Sequence, residues 1–329
     1  MAESKSVLPG LALAAAIALP ALALGAWLPL IGGPVWGILL GMLIALWRTP
    51  PAACTAGIRF SGKKVLQYAI ILLGFEMNLF QVFAVGSQSL TIIAVTLTAA
   101  FITAWLAGNY LRLEEKPRIL IGVGTAICGG SAIAAAAPAI NADEQDIAYS
   151  IATIFLFNIA AVFIFPFLGH ALGLSDSGFG MWAGTAINDT SSVVAAAYSY
   201  SSAAGNYATI VKLTRSLMIV PVTLALAVGF AASAQSRGQV RLGSIIPWFI
   251  FSFLLASVIN TSGILPPLVC DWLAKAGKFL IIVAMAAIGL NTNLPKLLNN
   301  GLRPIALGLL CWLAVAASSL LAQRQLGLW

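Results

Sequence analysis

Apolar residues run along this chain in stretches too long and continuous for a soluble fold, and the polar positions between them mark where each stretch ends. The pattern predicts helices over residues 7–30, 34–47, 64–85, 87–108, 119–140, 147–170, 177–199, 207–231, 243–259, 276–296 and 302–322. Most approach the roughly 20 residues that a helix needs to cross a hydrocarbon core of about 30 Å. The runs lack the apolar–polar alternation of barrel strands. The expected fold class is an all-α polytopic membrane protein of about eleven hydrophobic segments, forming a single transmembrane domain over residues 1–329.

Two segments, 119–140 and 177–199, break the pattern in the same way. Gly124-Thr125-Ala126-Ile127-Cys128-Gly129-Gly130-Ser131 and Gly184-Thr185-Ala186-Ile187-Asn188-Asp189-Thr190-Ser191 open on the same four residues and share a Ser at the eighth position. Lipid offers no partner for a freed backbone N–H or a polar side chain, so such breaks survive only where they line a protein-enclosed, wet cavity. In carriers that cavity is commonly the substrate site, built from half-helix ends near the midplane. Both segments are expected to be broken or re-entrant, meeting near the membrane centre.

Composition agrees: 60% of residues are hydrophobic and 8% charged, with a mean hydropathy of +0.99. The net charge of +7 then reads as topology rather than as a nucleic-acid footprint. With the N-terminus cytoplasmic, the inside loops hold Lys5, Arg48, Arg59, Lys63, Lys64, Arg112, Lys116, Arg118, Arg237, Arg241, Lys296 and Arg303, against Lys275, Lys278 and Arg324 outside. That imbalance puts the C-terminus outside. The loops at 140–146, 170–180 and 200–206 carry no Lys or Arg, so charge leaves open whether the two motif segments span or dip in and return. The first segment reads as a mature helix, its apolar run being too long for a signal-peptide core. Cys54, Cys128, Cys270 and Cys311 lack metal-ligand spacing and read as free thiols.

A second repeat emerges on shifting the chain by about 215 residues: Gly62-Lys63 falls on Gly277-Lys278, Gly74 on Gly289, Asn78-Leu79 on Asn293-Leu294 and Gly86 on Gly301. The copies, helices 62–108 and 277–322, are expected in opposite orientations, with Lys63 and Lys278 on opposite faces. The second copy is visible only through its second helix.

Polar side chains inside apolar segments are the candidate chemistry, since each is expensive unless paired or wet. Asp189, in Asn188-Asp189-Thr190-Ser191-Ser192, either caps a half-helix or binds a coupling cation, and the two roles are compatible. Lys212 and Arg215 share a helical face and suit an anion or Asp189; the bland reading of Lys212 is snorkelling. Glu76 and Asn78 after Gly74, with Asn291 and Asn293 after Gly289, form two places where a carboxylate or amides would suit Na⁺ or a proton; the bland reading is a solvated helix end. His170 reads as an interfacial residue. Asn158 reads as a hydrogen-bonding residue between helices. The acidic run Asp143-Glu144-Gln145-Asp146 reads as a solvated outer loop.

Gly124 to Ile133, Gly184 to Val193, and Lys212-Leu213-Thr214-Arg215 followed by Pro221 resemble the YeiH-like sulfate exporter family. The likeness covers nearly the whole chain and is strongest from Gly74 to Pro221. It implies a bacterial inner-membrane protein related in architecture to the inverted-repeat transporters of bile acids and of sodium and protons. Members of that family often carry His-Glu near the second motif with Gln a few residues on, whereas this chain has Asn188-Asp189 and Ser192.

The expected function is a secondary transporter or exporter of a small anion, a sulfate-like oxyanion or small organic acid, coupled to H⁺ or Na⁺; a passive channel and a Cys128-dependent enzyme are the rivals. Substrate contacts are expected from Thr125, Cys128, Gly129, Gly130, Ser131, Asn188, Thr190, Ser191, Ser192, Lys212 and Arg215, and coupling-ion contacts from Asp189, Glu76, Asn78, Asn291 and Asn293. Alternating access is expected between a core bearing the motif helices and a scaffold including helices 87–108 and 302–322. No cofactor or metal is expected. The expected partners are a small anion, membrane lipid and a second copy in a homodimer, with no nucleic acid.

Overall fold

The computed structural model describes residues 6–27, 32–231, 248–292 and 301–329. The described residues form helices and turns without a strand. In chain order the helices are α1 (Leu8–Trp27), α2 (Gly32–Trp47), α3 (Thr55–Phe60), α4 (Leu66–Leu73), α5 (Leu79–Tyr110), α6 (Glu115–Ala126), α7 (Gly130–Ala136), α8 (Glu144–Ala171), α9 (Asp176–Ala186), α10 (Thr190–Tyr200), α11 (Ser202–Leu217), α12 (Ile219–Ala231), α13 (Trp248–Ser262), α14 (Pro267–Asn291) and α15 (Leu302–Gln325). Among the described residues, six helical runs are long and apolar enough to cross a membrane, those of α1, α5, α8, α11 with α12, α14 and α15.

Several expected boundaries move. Residues 64–85 and 87–108 are not two helices parted at Gly86: α5 runs unbroken from Leu79 to Tyr110. Gly86 instead gives room for Thr214, whose Oγ1 would stand 3.2 Å from a Cβ there. The break comes earlier, at Met77 and Asn78, and helix α13 satisfies it: Ser257 and Asn260 donate to the Met77 carbonyl at 2.9 and 3.2 Å, and the Leu79 N–H donates to Thr261 at 2.8 Å. Arg59, Lys63 and Lys64 lie in helical chain rather than a loop, since α3 passes through one π-helical turn, Ser61–Val65, into α4. Lys275 and Lys278 likewise lie within α14, which begins at Pro267. Asp143 is no loosely solvated loop residue; its side chain caps α8, accepting from the Asp146 N–H at 2.8 Å.

The second motif segment returns to the face it enters from. At its base Ser201 donates to Asp176 at 2.7 Å, Tyr200 donates to the Leu174 carbonyl at 2.6 Å, and the Phe179 and Tyr200 rings stack at 4.0 Å. Helices α9 and α10 are therefore two arms of a re-entrant hairpin. The first motif segment turns in the same manner: the Gly129 N–H closes on the Gly124 carbonyl at 3.0 Å, and Ile133 of α7 packs back on Gly124 of α6. Helix α8 starts at the base of the first hairpin and ends at the base of the second. Its 28 residues extend about 42 Å. The hairpins thus enter from opposite ends of α8, and their tips meet between.

The shift of about 215 residues reaches further than the sequence suggests. It carries Trp47, the end of α2, onto Ser262, the end of α13, and Tyr110, the end of α5, onto Gln325, the end of α15. Contacts follow the same rule. Gly289 admits the backbone of Ile38 at a distance no Cβ would allow, while a Cβ on Gly74 would lie 2.6 Å from the carbonyl of Phe253; the shift maps each pair onto the other. Gly62 faces Ile288 just as Gly277 faces Leu72 and Leu73. A second shift, of about 60 residues, carries Ala126, the end of α6, onto Ala186, the end of α9, and lays α8 over α11 and α12. One pair of repeats is nested inside the other.

Packing divides the helices differently from the expected scaffold. One apolar core joins residues of α5 through α12 and of α15, so segments 87–108 and 302–322 pack with the motif hairpins. Two other cores are built mainly on α1 to α4, α13 and α14. Val194 and Ala195 of α10, with Ile210 and Leu213 of α11, pack into this second group beside Val35, Ile38, Ala284 and Met285.

Candidate functional site

A helix that stops inside a membrane leaves its last carbonyls without partners. Helices α6 and α9 both stop inside the helix bundle, and two cations from α11 cap them together. Lys212 Nζ donates to the Ile127 carbonyl at 2.8 Å and to the Ile187 carbonyl at 3.1 Å. Arg215 donates through Nε to Ala126 at 2.8 Å, through Nη1 to Ile187 at 3.2 Å and through Nη2 to Thr125 at 2.5 Å. Both side chains are fully buried. Their positions on one face of α11 follow from the three-residue spacing, and their charge is suited to the negative ends of two helix dipoles. The snorkelling alternative for Lys212 is excluded by this geometry.

The other side of each break differs. Cys128 and Gly129 form the first tip, and Gly129 adopts φ +70° and ψ −126°, a conformation for which glycine is needed. No side chain caps α7. In the second tip Asp189 caps α10, accepting from the Ser191 N–H at 2.9 Å and from the Ser191 hydroxyl. Asp189 makes no ion pair with Lys212 or Arg215; the salt bridges among the described residues are Lys275–Asp271 and Lys278–Glu76.

Between the tips lie amides without protein partners. Asn188 is 1% exposed, and neither its Oδ1 nor its Nδ2 has a hydrogen-bond partner. Asn158 of α8 accepts from the Asp189 N–H at 3.2 Å through Oδ1, while its Nδ2 has none and would stand 3.6 Å from a Cβ at Gly129. An unpartnered buried polar group costs about 1–3 kcal/mol. Three such atoms in one place are what a polar ligand would satisfy. At the tips Ser131 is exposed and Gly130, Asp189 and Thr190 are partly so, while Ser191 and Ser192 are buried. The Thr125 hydroxyl turns back onto the Ile121 carbonyl, so this residue serves the site through its backbone.

Glu76, Asn78 and Asn291 stand apart from the tips. Glu76 pairs with Lys278 at 3.0 Å, and both are about one-third exposed at 32% and 31%. Asn78 caps α5, accepting from the Phe80 N–H at 2.8 Å. Asn291 closes α14, and Asn293 lies outside the described residues. His170 stacks on Tyr200 at the hairpin base, with ring centroids 4.2 Å apart. Sequence reasoning missed Asn158 as a member of the site, although an Asn in the middle of an apolar span was the available signal. It also missed the tip carbonyls, which any helix break inside a membrane implies.

Comparison with known proteins agrees with this reading of class. A protein of Fusobacterium nucleatum called UPF0324 membrane protein FN0533 is 45% identical over 97% of this chain and 98% of its own length. UPF0324 membrane protein M6_Spy0799 of Streptococcus pyogenes serotype M6 is 48% identical over 98% of each chain, and a UPF0324 membrane protein of Streptococcus mutans 46% over 98% of each. No solved structure matches. The family profile for conserved hypothetical protein 698 matches residues 9–308, and with relatives of this identity over nearly the full length the chain belongs to that family of membrane proteins, the YeiH-like family.

Proposed function

We propose that the protein is a secondary carrier of a small anion, working by alternating access in the bacterial inner membrane with its N-terminus in the cytoplasm and its C-terminus outside. The observation that carries this reading is the buried pair Lys212 and Arg215 where two opposed hairpin tips meet. An ammonium has three N–H donors and a guanidinium five, so the carbonyls of the tips leave donors on both. Two cations buried without an ion pair call for an anion. The unpartnered amides of Asn188 and Asn158 add neutral hydrogen-bonding groups beside them. Asp189 is the candidate for H⁺ or Na⁺ coupling, since it is a partly exposed carboxylate at the same tips. The apolar packing of α10 and α11 on α2 and α14 gives the hairpin bundle a surface along which to move without breaking hydrogen bonds.

An enzymatic reading has little support. Cys128 lies at the first tip, and His170, the single histidine, stacks at the base of the second hairpin, so the thiol lacks an imidazole base. The test is reconstitution in liposomes with a panel of small anions. Saturable flux that responds to a counter-ion gradient is expected. Flux that rises without saturation and ignores the gradient would make the protein a channel.

A further inference from the structure

Resting on the anion-carrier reading, we infer that the ligand is a small monoanion, because the formal charge enclosed at the hairpin tips is a single positive one. Lys212 and Arg215 contribute two positive charges, both fully buried. Asp189 stands two residues beyond Ile187, whose carbonyl both cations hold, and its hydrogen bonds to Ser191 keep it at that tip. Glu76 is neutralised by Lys278. With Asp189 ionised and free of a coupling cation, Lys212 and Arg215 against it leave one unit of charge. One negative charge on the ligand neutralises it, whereas a dianion would leave a net negative charge in a low-dielectric interior.

Asn188 and Asn158 refine the class. Their unpartnered N–H groups suit the oxygens of a carboxylate or other small oxyanion, and the unpartnered oxygen of Asn188 is open to a hydroxyl hydrogen on the ligand. Bicarbonate and a small 2-hydroxy acid anion carry both features with one charge. Sulfate and thiosulfate carry two charges and no donor.

The experiment measures equilibrium binding to the purified protein in detergent, with bicarbonate, nitrate and glycolate against sulfate, thiosulfate and oxalate, at a pH where each probe holds one charge state. The wild-type protein should bind a monoanion at least about tenfold more tightly than any of the dianions. Asp189→Asn raises the enclosed charge to two, and because Asn caps a helix as well as Asp does, α10 keeps its start. That variant should reverse the order, favouring a dianion. Asn188→Asp cancels the enclosed charge and should abolish anion binding in a protein that remains folded by thermal shift. A wild-type preference for dianions, or an unchanged ranking in Asp189→Asn, would overturn the inference while leaving the carrier reading intact; should Asp189→Asn fail to fold, retained anion binding in Asn188→Asp would do the same. Absence of binding by every anion to the wild-type protein would overturn both.

Discussion

The two hairpins begin with the same Gly-Thr-Ala-Ile run and share one architecture, yet they solve the same problem by different means. The second turns on Asp189, whose carboxylate caps α10; the first turns on Gly129, at the equivalent place, with a backbone conformation and no capping side chain. Their outgoing carbonyls, by contrast, are held by one shared pair of cations from α11. The 60-residue shift places Ala152 and Phe155 of α8 where α11 has Lys212 and Arg215, so the cations exist in one repeat only. The comparison teaches that the repeat supplies the frame and its asymmetry supplies the chemistry.

That asymmetry can be broken directly. Arg215→Ala removes three charge-assisted hydrogen bonds, strands the Thr125 and Ala126 carbonyls of the first tip and leaves Ile187 to Lys212 alone, so it should destabilise the protein by on the order of 3 kcal/mol or more. The equivalent change in the other repeat, Phe155→Ala, removes a partly lipid-exposed ring and should change stability by about 1 kcal/mol or less. Unfolding followed by thermal shift in detergent compares the two; equal effects would contradict a special role for α11. Next in size is Gly129→Ala, which forces an L-residue into a glycine conformation at about 1–3 kcal/mol. Asp189→Ala, at the matching position, should lose a cap at about 1 kcal/mol. The smallest effect concerns access. In a background without Cys54, Cys128, Cys270 and Cys311, a cysteine at exposed Ser131 should react with a water-soluble thiol reagent much faster than one at Ser191, which is 7% exposed. Equal rates would remove the difference in solvation between the tips.

Much of this was legible in the chain. The helix breaks at Cys128 and Asp189 and the buried cations could be found because lipid makes such residues anomalous. The hairpins could not be chosen over spans, because the loops at 140–146, 170–180 and 200–206 lack the Lys and Arg by which topology is read. Gly86 was misleading: a glycine inside a long helix costs only about 1 kcal/mol and here makes room for Thr214. The role of Arg215 as a cap for helices about 90 residues earlier is a tertiary fact that no local pattern carries. Membership of α5 and α15 in the hairpin bundle is of the same kind, settled by which faces pack rather than by which segments are apolar.

The central claim is that two hairpins enter from opposite faces and meet on Lys212 and Arg215. Single cysteines at Glu115 and Ser177, both exposed at the hairpin bases, test it in the same cysteine-free background with an impermeant reagent applied to vesicles of known orientation. If both segments are re-entrant, Glu115→Cys is labelled from the cytoplasmic face and Ser177→Cys from the opposite face. If both segments crossed the membrane, the two sites would share a face, and labelling from the same side would contradict the account.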